Sequence, residues 1–215
     1  PSSATAWIML ILLLPFLGLL IFLLLGSPKL NKRRRAMQRS MDEVIDNLIH
    51  KGEFSKLFKK FITKDTHEKY GSYIKLNKNL GGFPAFEGNS VDLINDYDGI
   101  LTKIAGDIKK ANKYVHIEYF IIVMDESTEI LFVEIENAIK RGVQVRILYD
   151  AIGSRGYPNL KKMKKRLDEI GVEWHPMLPV KLPGKNFNRP DLRNHRKIIV
   201  IDGSIGYTGY QNIVT

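Results

Sequence analysis

The strongest constraint on this chain is an apolar run without a single charged residue near its N-terminus, over residues 6–25. A helix of this length measures about 30 Å, which equals the thickness of the hydrocarbon core of a bilayer. Pro15 lies in the middle of the run, where a membrane helix tolerates a kink. We therefore expect a transmembrane helix within residues 1–28.

A cleaved signal peptide is the alternative interpretation of such a run. It requires basic residues before the apolar segment and small residues at a cleavage site after it. Here the basic residues follow the run: Lys29, Lys32, Arg33, Arg34, Arg35 and Arg39. By the positive-inside rule, this order predicts that everything from Lys29 onward is cytoplasmic. The basic residues either act only as a topology signal or also bind anionic headgroups.

Residues 29–88 are expected to form a basic juxtamembrane and connector region. Within this region, residues 37–49 carry apolar side chains at helical spacing, which predicts an amphipathic helix. Such a helix either packs on the domain that follows or lies on the membrane surface.

Composition narrows the chemistry that the chain can perform. The formal net charge of +10 favours an anionic partner, and nucleic acid, anionic lipid and phosphate substrates all have that sign. The sequence contains no cysteine, which excludes disulfides, thiolate metal sites and cysteine nucleophiles. No HExxH or similar pair marks a zinc site, so we expect no metal.

Residues 89–215 have a regular pattern in which short apolar segments alternate with helical ones. This alternation predicts an α/β fold, with a mostly parallel mixed sheet flanked by helices. The predicted strands are residues 91–94, 114–123, 143–149, 172–174, 197–201 and 205–208.

A group of polar residues surrounds the predicted strand 197–201. Side chains alternate along a strand, so His195 and Lys197 point to the same side at its beginning. Asp202 follows the far end, and the next strand returns Gly209 and Asn212 toward the beginning. A histidine, an ammonium and an amide at one end of a sheet suit a phosphodiester. The histidine can act as nucleophile or acid, and the other two can stabilise phosphoryl oxygens.

The spacing of these residues resembles the HKD motif of the phospholipase D superfamily, H-x-K-x₄-D-x₆-G-[GS]-x-N. His195, Lys197, Asp202, Gly209 and Asn212 match it, whereas Tyr210 stands where the family has Gly or Ser. This chain resembles bacterial cardiolipin synthases in three features taken together: the motif, the segment 116–119, and the apolar run followed by basic residues. The resemblance covers nearly the whole chain, and it implies a bacterial cell-membrane location with the catalytic part cytoplasmic.

This resemblance implies phosphatidyl transfer between two phosphatidylglycerol molecules through a phosphohistidine, with release of glycerol and without a cofactor. It makes His195 the nucleophile, groups Lys197 and Asp202 with it as catalytic residues, and assigns phosphate binding to Gly209 and Asn212. The expected partners are phospholipid and an anionic membrane surface, and no nucleic acid is expected.

The family site needs two HKD motifs, and this sequence contains one. The other histidines, His50, His67, His116 and His175, have no lysine two residues later. We therefore expect a fragment that is completed by a second HKD half-domain in cis, or a homodimer that pairs two His195 residues, as small nucleases of the superfamily do.

Two other functions compete with lipid transfer: a phospholipase D-type nuclease or phosphodiesterase that acts as a homodimer, and an inactive truncated membrane fragment. Glu118, Arg193 and Asp150 are further candidate site residues. Glu118 either faces the site or forms a structural ion pair. Arg193 precedes the motif on a loop and is a candidate phosphate contact. Asp150 either binds ligand at a strand end or caps a helix.

Overall fold

The computed structural model describes residues 2–26, 32–50, 56, 59–62, 69–96, 99–179 and 193–214. They belong to two compact units, Pro1–Asp92 and Leu93–Thr215. Lys29 and the end of the predicted membrane segment, residues 27–28, lie outside the described residues.

The apolar run of the first unit is not the single helix that the sequence predicts. It forms α1 (Ser2–Leu13), α2 (Pro15–Ile21) and a π-helix (Phe22–Gly26). The break falls at Leu14, whose φ of −133° and ψ of 73° are not helical. A residue before proline is pushed out of the α region by the proline ring, which accounts for the break. Within the described residues, no helix is both long enough and apolar enough to cross a bilayer.

The first unit continues with two further helices. The predicted amphipathic helix is confirmed as α3 (Lys32–His50), and α4 covers Gly71–Gly81. Both helices expose apolar side chains at helical spacing. On α3 they are Met37, Met41, Val44 and Leu48, and on α4 they are Tyr73, Leu76 and Leu80.

The second unit is an α/β domain with the helices α5 (Gly99–Lys109), α6 (Glu129–Lys140) and α7 (Leu160–Ile170). Its strands are β1 (Tyr114–Tyr119), β2 (Gln144–Asp150), β3 (Glu173–Met177), β4 (Lys197–Ile201) and β5 (Ile205–Thr208). They form one sheet in the order β3-β2-β1-β4-β5.

The sheet is mixed, as predicted, but it is not mostly parallel. The β1–β2 and β2–β3 pairs are parallel, whereas β1–β4 and β4–β5 are antiparallel. Helices separate β1, β2 and β3, and a tight turn joins β4 to β5 and forces that pair antiparallel. Residues 91–94 are not a strand. Val91 and Leu93 are 91% and 93% exposed, and β-propensity without burial does not make a strand.

One face of the sheet and the three helices share a single apolar core. Every second residue of β1, β2 and β4 is buried, as a sheet with one covered face requires. Phe132 and Ile135 of α6 are fully buried against this face, and Arg141 donates to the carbonyls of Ile108 and Ala111 at the end of α5. The opposite face is half-buried or exposed and carries His116, Glu118, Arg146, Leu148, Glu173, His175, Ile198 and Val200.

The turn from β4 to β5 is fixed by Asp202. Its carboxylate accepts hydrogen bonds from three consecutive backbone N–H groups at the start of β1, at 2.8–2.9 Å. The donors are Asn112, Lys113 and Tyr114. These bonds hold the pKa of the Asp202 carboxyl below its ordinary value, since each of them favours the charged form. They also hold Asp202 at a φ of 53°, which aspartate tolerates better than most residues.

We predict that Asp202→Asn destabilises the domain at neutral pH and that the difference disappears in acid. A lowered native pKa contributes stability that is complete above the unfolded value, near 3.8, and is lost as the pH falls through the native value. Urea unfolding of the full chain in detergent, from pH 7 to pH 3, measures this through Trp174 fluorescence in a Trp7→Phe background.

The exposed Glu126 provides a matched control for this comparison. Glu126→Gln should shift the urea midpoint little at any pH. A difference between Asp202→Asn and wild type that persists undiminished at pH 3 would contradict the role given to the charged carboxylate.

Candidate functional site

The beginning of β4 carries the two central residues of the motif. Lys197 is the first residue of the strand and pairs with Tyr119 at the end of β1. Its side chain lies on the buried face of the sheet and is 7% exposed, and its Nζ donates to the His195 carbonyl at 3.0 Å. The structure therefore brings His195 and Lys197 together, as the alternation along a strand predicts.

Two aromatic rings complete the surroundings of this pair. The His195 imidazole, itself exposed, stacks on Phe120 with 4.1 Å between ring centroids and an interplanar angle of 16°. Lys197 Nζ lies 5.8 Å from the centroid of the Phe120 ring and 5.2 Å from that of Tyr210. Rings at this range attract an ammonium through their negative faces. The stacked ring also restricts the orientation of the imidazole.

A tight turn after β2 supports Phe120. A Cβ on Gly153 would lie 2.3 Å from the Phe120 carbonyl oxygen, so only glycine fits here. The next residue, Ser154, is buried, and its Oγ accepts from Ile122 N and donates to Ile122 O, both at 3.1 Å. The turn and the segment that leaves β1 are therefore held as one unit.

Asp150, the last residue of β2, connects this turn to the motif. Its fully buried carboxylate accepts from the backbone N–H groups of Ile152 and Gly153 at 2.9 and 3.1 Å. It also forms an ion pair with Arg193 at 3.3 Å and accepts from Asn194 N at 3.2 Å. Neither sequence interpretation of Asp150 describes this role, which is to hold the residues that precede His195.

The other predicted residues divide between the two faces of the sheet. The Arg193 side chain is 7% exposed and donates to Asp150 and, at 2.9 Å, to the Leu178 carbonyl. Glu118 lies on the open face, where its carboxylate accepts from the Asn194 side-chain amide and lies 3.9 Å from Arg196. Glu118 thus contacts the segment that leads into β4, and Arg193 joins that segment to the ends of β2 and β3.

The segment after β5 returns to the site beside residues 121–123. Ile213 N donates to Ile121 O and Val123 N donates to Ile213 O, which places Asn212 at the exit of β1. Asn212 Oδ1 accepts from Ile121 N at 3.3 Å, an arrangement that leaves its amide nitrogen available for another acceptor. Nothing lies within 4 Å of a Cβ built on Gly209, and the Tyr210 side chain is 93% exposed. Tyr210 is therefore largely exposed, although its ring lies near the Lys197 ammonium.

Asp202 is the one motif residue that the structure does not bring to this group. It lies five residues along β4 from Lys197, a separation of about 17 Å in an extended strand. Its contacts are with the beginning of β1. It thus fixes the end of β4 that is far from His195.

Sequence reasoning missed Phe120, Gly153 and Asn194 as parts of the site. In the sequence, Phe120 is one of several aromatic residues in an apolar segment, and Gly153 is typical of a turn. Asn194 does lie next to His195, but its bonds to Glu118 and Asp150 depend on two strands that are distant in sequence. A sequence pattern does not reveal contacts of this kind.

The charge balance at the site is uneven. In the described part of the chain, Lys197 takes part in no ion pair, although its ammonium is nearly buried. Burying an ammonium away from water is unfavourable unless an anion or polar partner accompanies it. Over the same residues, no three His, Asp or Glu side chains converge as a metal-binding group would.

Comparison with known proteins identifies this arrangement. The family model described as cardiolipin synthase, PLD-like domain, matches residues 104–215, just over half of the chain. The chain belongs to this family. A second model, described as phospholipase D-nuclease N-terminal, matches residues 1–27. The described sheet and helices are thus a half-domain of the PLD-like type.

Curated relatives of this PLD-like chain are cardiolipin synthases. Cardiolipin synthase 1 of Staphylococcus aureus is 33% identical over 99% of this chain and 43% of its own length. The cardiolipin synthase of Geobacillus kaustophilus is 31% identical over 99% of this chain and 41% of its own length. The chain therefore spans less than half the length of these relatives.

Two solved structures are similar at lower identity. Nuc from Salmonella typhimurium, a phospholipase D family member, has a TM-score of 0.40 at 19% identity, covering 53% of this chain and 64% of its own. NucT from Helicobacter pylori has a TM-score of 0.41 at 21% identity, covering 57% of this chain and 73% of its own.

We predict that Asp150→Ala destabilises the PLD-like unit by about 3–5 kcal/mol, because it removes one partner of the buried ion pair between Asp150 and Arg193. Glu173→Ala is the matched control, because it removes a carboxylate from the exposed pair with Arg146, and it should cost less than about 1 kcal/mol. Denaturant unfolding in detergent measures both. Equal losses in the two variants would contradict the role assigned to the Asp150–Arg193 pair.

Proposed function

We propose that this half-domain supplies one half of a phosphatidyl-transfer site and that His195 is its nucleophile. The supporting observation is the pair formed by His195 and Lys197. A nearly buried ammonium lies beside an exposed imidazole, and no ion pair with a carboxylate neutralises it among the described residues. A phosphodiester provides the anion that such a site lacks.

The proposed reaction has two steps, with phosphatidylglycerol as donor and acceptor. An imidazole nitrogen of His195 attacks the phosphorus, a P–N bond forms, and the P–O bond to the leaving glycerol breaks. The histidine of a second HKD motif gives that glycerol a proton. The same histidine then takes a proton from the hydroxyl of an incoming phosphatidylglycerol, whose oxygen attacks phosphorus, breaks the P–N bond and yields cardiolipin.

The neighbouring residues have distinct roles in this proposal. The Lys197 ammonium and the Asn212 amide nitrogen stabilise the charge that develops on the phosphoryl oxygens. Gly209 leaves the approach to Asn212 open, in agreement with the empty space around it. Asp202 acts from a distance by fixing β4, so we place it among the positioning residues. The proposed reaction requires no metal or organic cofactor.

The second motif comes either from a second HKD half-domain in cis or from another copy of this chain. In either case the partner places its own histidine across the phosphate from His195. We further propose that the enzyme acts at the bacterial cell membrane with its catalytic part in the cytoplasm. The basic residues that follow the apolar run support this orientation.

We predict that His195→Ala abolishes cardiolipin formation in a form of the protein that carries the second motif, because the covalent path is lost. Lys197→Ala should retain the fold and lower kcat by about 10²–10³-fold, the usual effect of removing one positioned electrostatic group. The assay is conversion of phosphatidylglycerol to cardiolipin and glycerol, with the phosphohistidine trapped by acid-free quenching.

His175→Ala is the matched control, because His175 is exposed on the open face of β3. It should keep near-normal turnover. Near-normal turnover in His195→Ala, with a phosphorylated enzyme still detected, would remove His195 from the mechanism.

A further inference from the structure

The Lys197 ammonium is enclosed by groups that leave it few directions in which to bind a ligand. Lys197 is 7% exposed, and its Nζ donates to the His195 carbonyl at 3.0 Å. An ammonium has three N–H donors, and over the described residues Nζ forms no second hydrogen bond. Two aromatic rings, Phe120 and Tyr210, have their centroids 5.8 and 5.2 Å from it. An anion that reaches Nζ therefore approaches past these rings.

The two rings differ in how the protein holds them. Phe120 is half-buried, stacks on the His195 imidazole and lies against the turn at Gly153. Tyr210 is 93% exposed, and in the described part of the chain its hydroxyl forms no hydrogen bond. The Phe120 ring is thus part of the packing of the domain. Most of the Tyr210 ring, in contrast, is available to a bound molecule.

The position of Tyr210 in the motif places a large group where a small one would leave space. Its neighbour Gly209 has no atom within 4 Å of a Cβ built on it, so the described fold does not crowd the backbone here. Tyr210 itself stands where the motif pattern has Gly or Ser. A small side chain would leave this flank of the ammonium open to water, whereas a phenol ring covers it.

We propose that Tyr210 is a specificity-determining residue, which covers one side of the phosphohistidine at His195 and favours the hydroxyl of an incoming phosphatidylglycerol over water. This role depends on the proposed function, because the phosphohistidine is the intermediate of that reaction. A phosphoryl oxygen that accepts from Lys197 Nζ lies about 2.8 Å from it, so the phosphate lies beside the Tyr210 ring. The ring packs against the glycerol carbons and displaces water from the intermediate.

Water and lipid compete for the same intermediate. In transfer, the hydroxyl oxygen of phosphatidylglycerol attacks phosphorus, the P–N bond breaks, its electron pair returns to the His195 imidazole, and cardiolipin forms. In hydrolysis, a water oxygen attacks instead, the same bond breaks, and phosphatidic acid forms. In both cases the attacking oxygen gives its proton to the histidine of the second motif. The ratio of phosphatidic acid to cardiolipin therefore measures the choice of acceptor.

Two substitutions separate the effect of the ring from that of its hydroxyl. Tyr210→Ser removes the ring and should raise the ratio of phosphatidic acid to cardiolipin about tenfold, the usual scale of discrimination by one apolar contact. Total consumption of phosphatidylglycerol should fall by no more than about fivefold, because one exposed cation–π contact is lost. Tyr210→Phe keeps the ring and should keep the wild-type ratio.

Tyr73→Ser is the matched control, because Tyr73 is a 65% exposed tyrosine on α4 of the other unit. It should leave both the ratio and the rate unchanged. The assay uses the form of the protein that carries both motifs, with phosphatidylglycerol in mixed micelles and water enriched in oxygen-18. Mass spectrometry quantifies the two products and verifies that the new oxygen of phosphatidic acid comes from water.

The contact between phosphate and ring is testable in the chain alone, without turnover. Glycerophosphoglycerol, the deacylated form of phosphatidylglycerol, is titrated into the detergent-solubilised chain with carbon-13-labelled tyrosine rings. Tyr210→Phe assigns the signal of Tyr210. This signal should shift during the titration, and Lys197→Met should abolish the shift. A Tyr210 signal that does not move would overturn the contact and the proposal with it.

The product ratio distinguishes failure of this proposal from failure of the proposed function. An unchanged ratio in Tyr210→Ser would show that the ring does not select the acceptor. A ratio that rises equally in Tyr210→Phe would assign the selection to the hydroxyl and overturn the role of the ring. In both cases turnover and phosphohistidine persist, so the proposed function stands. A wild-type protein without turnover or phosphohistidine would contradict the proposed function, and the role of Tyr210 with it.

Discussion

The site depends on one buried carboxylate. Asp150 lies at the end of β2 and accepts from the turn that supports Phe120 and from the residues that lead into β4. Phe120 in turn stacks on His195. The orientation of the imidazole is therefore determined from both sides by groups that bind a single anion. Such a group must be paired fully, because a buried charge without its partners is strongly unfavourable.

The antiparallel placement of β4 next to β1 gives the motif its geometry. It brings Lys197 opposite Tyr119 and Asp202 to the beginning of β1, so that the two ends of one strand perform different tasks. The end at which we propose the reaction holds the histidine and the ammonium. The other end is held by three backbone N–H groups that bind Asp202. In this proposal, positioning and chemistry are separated along β4.

The sequence alone predicted the parts of this design that depend on local spacing. Alternation along a strand predicts that His195 and Lys197 lie on the same side, and both side chains do lie beside the ring of Phe120. Pairing between distant strands is not local. The expectation that the sheet is mostly parallel was therefore wrong, and the contacts of Asp150 and Asn194 were not foreseen. The apolar run shows the same limit, because its composition predicts a membrane segment, whereas Pro15 determines where its helix breaks.

We propose that His195 and Lys197 form one half of a site that needs a second histidine to protonate the leaving glycerol. Cardiolipin formation from phosphatidylglycerol by the purified chain in detergent, with its oligomeric mass determined in the same sample, tests this directly. A monomer should show no turnover, and turnover should occur only if two copies, or a second half-domain, complete the site. Turnover by a verified monomer would contradict the proposal.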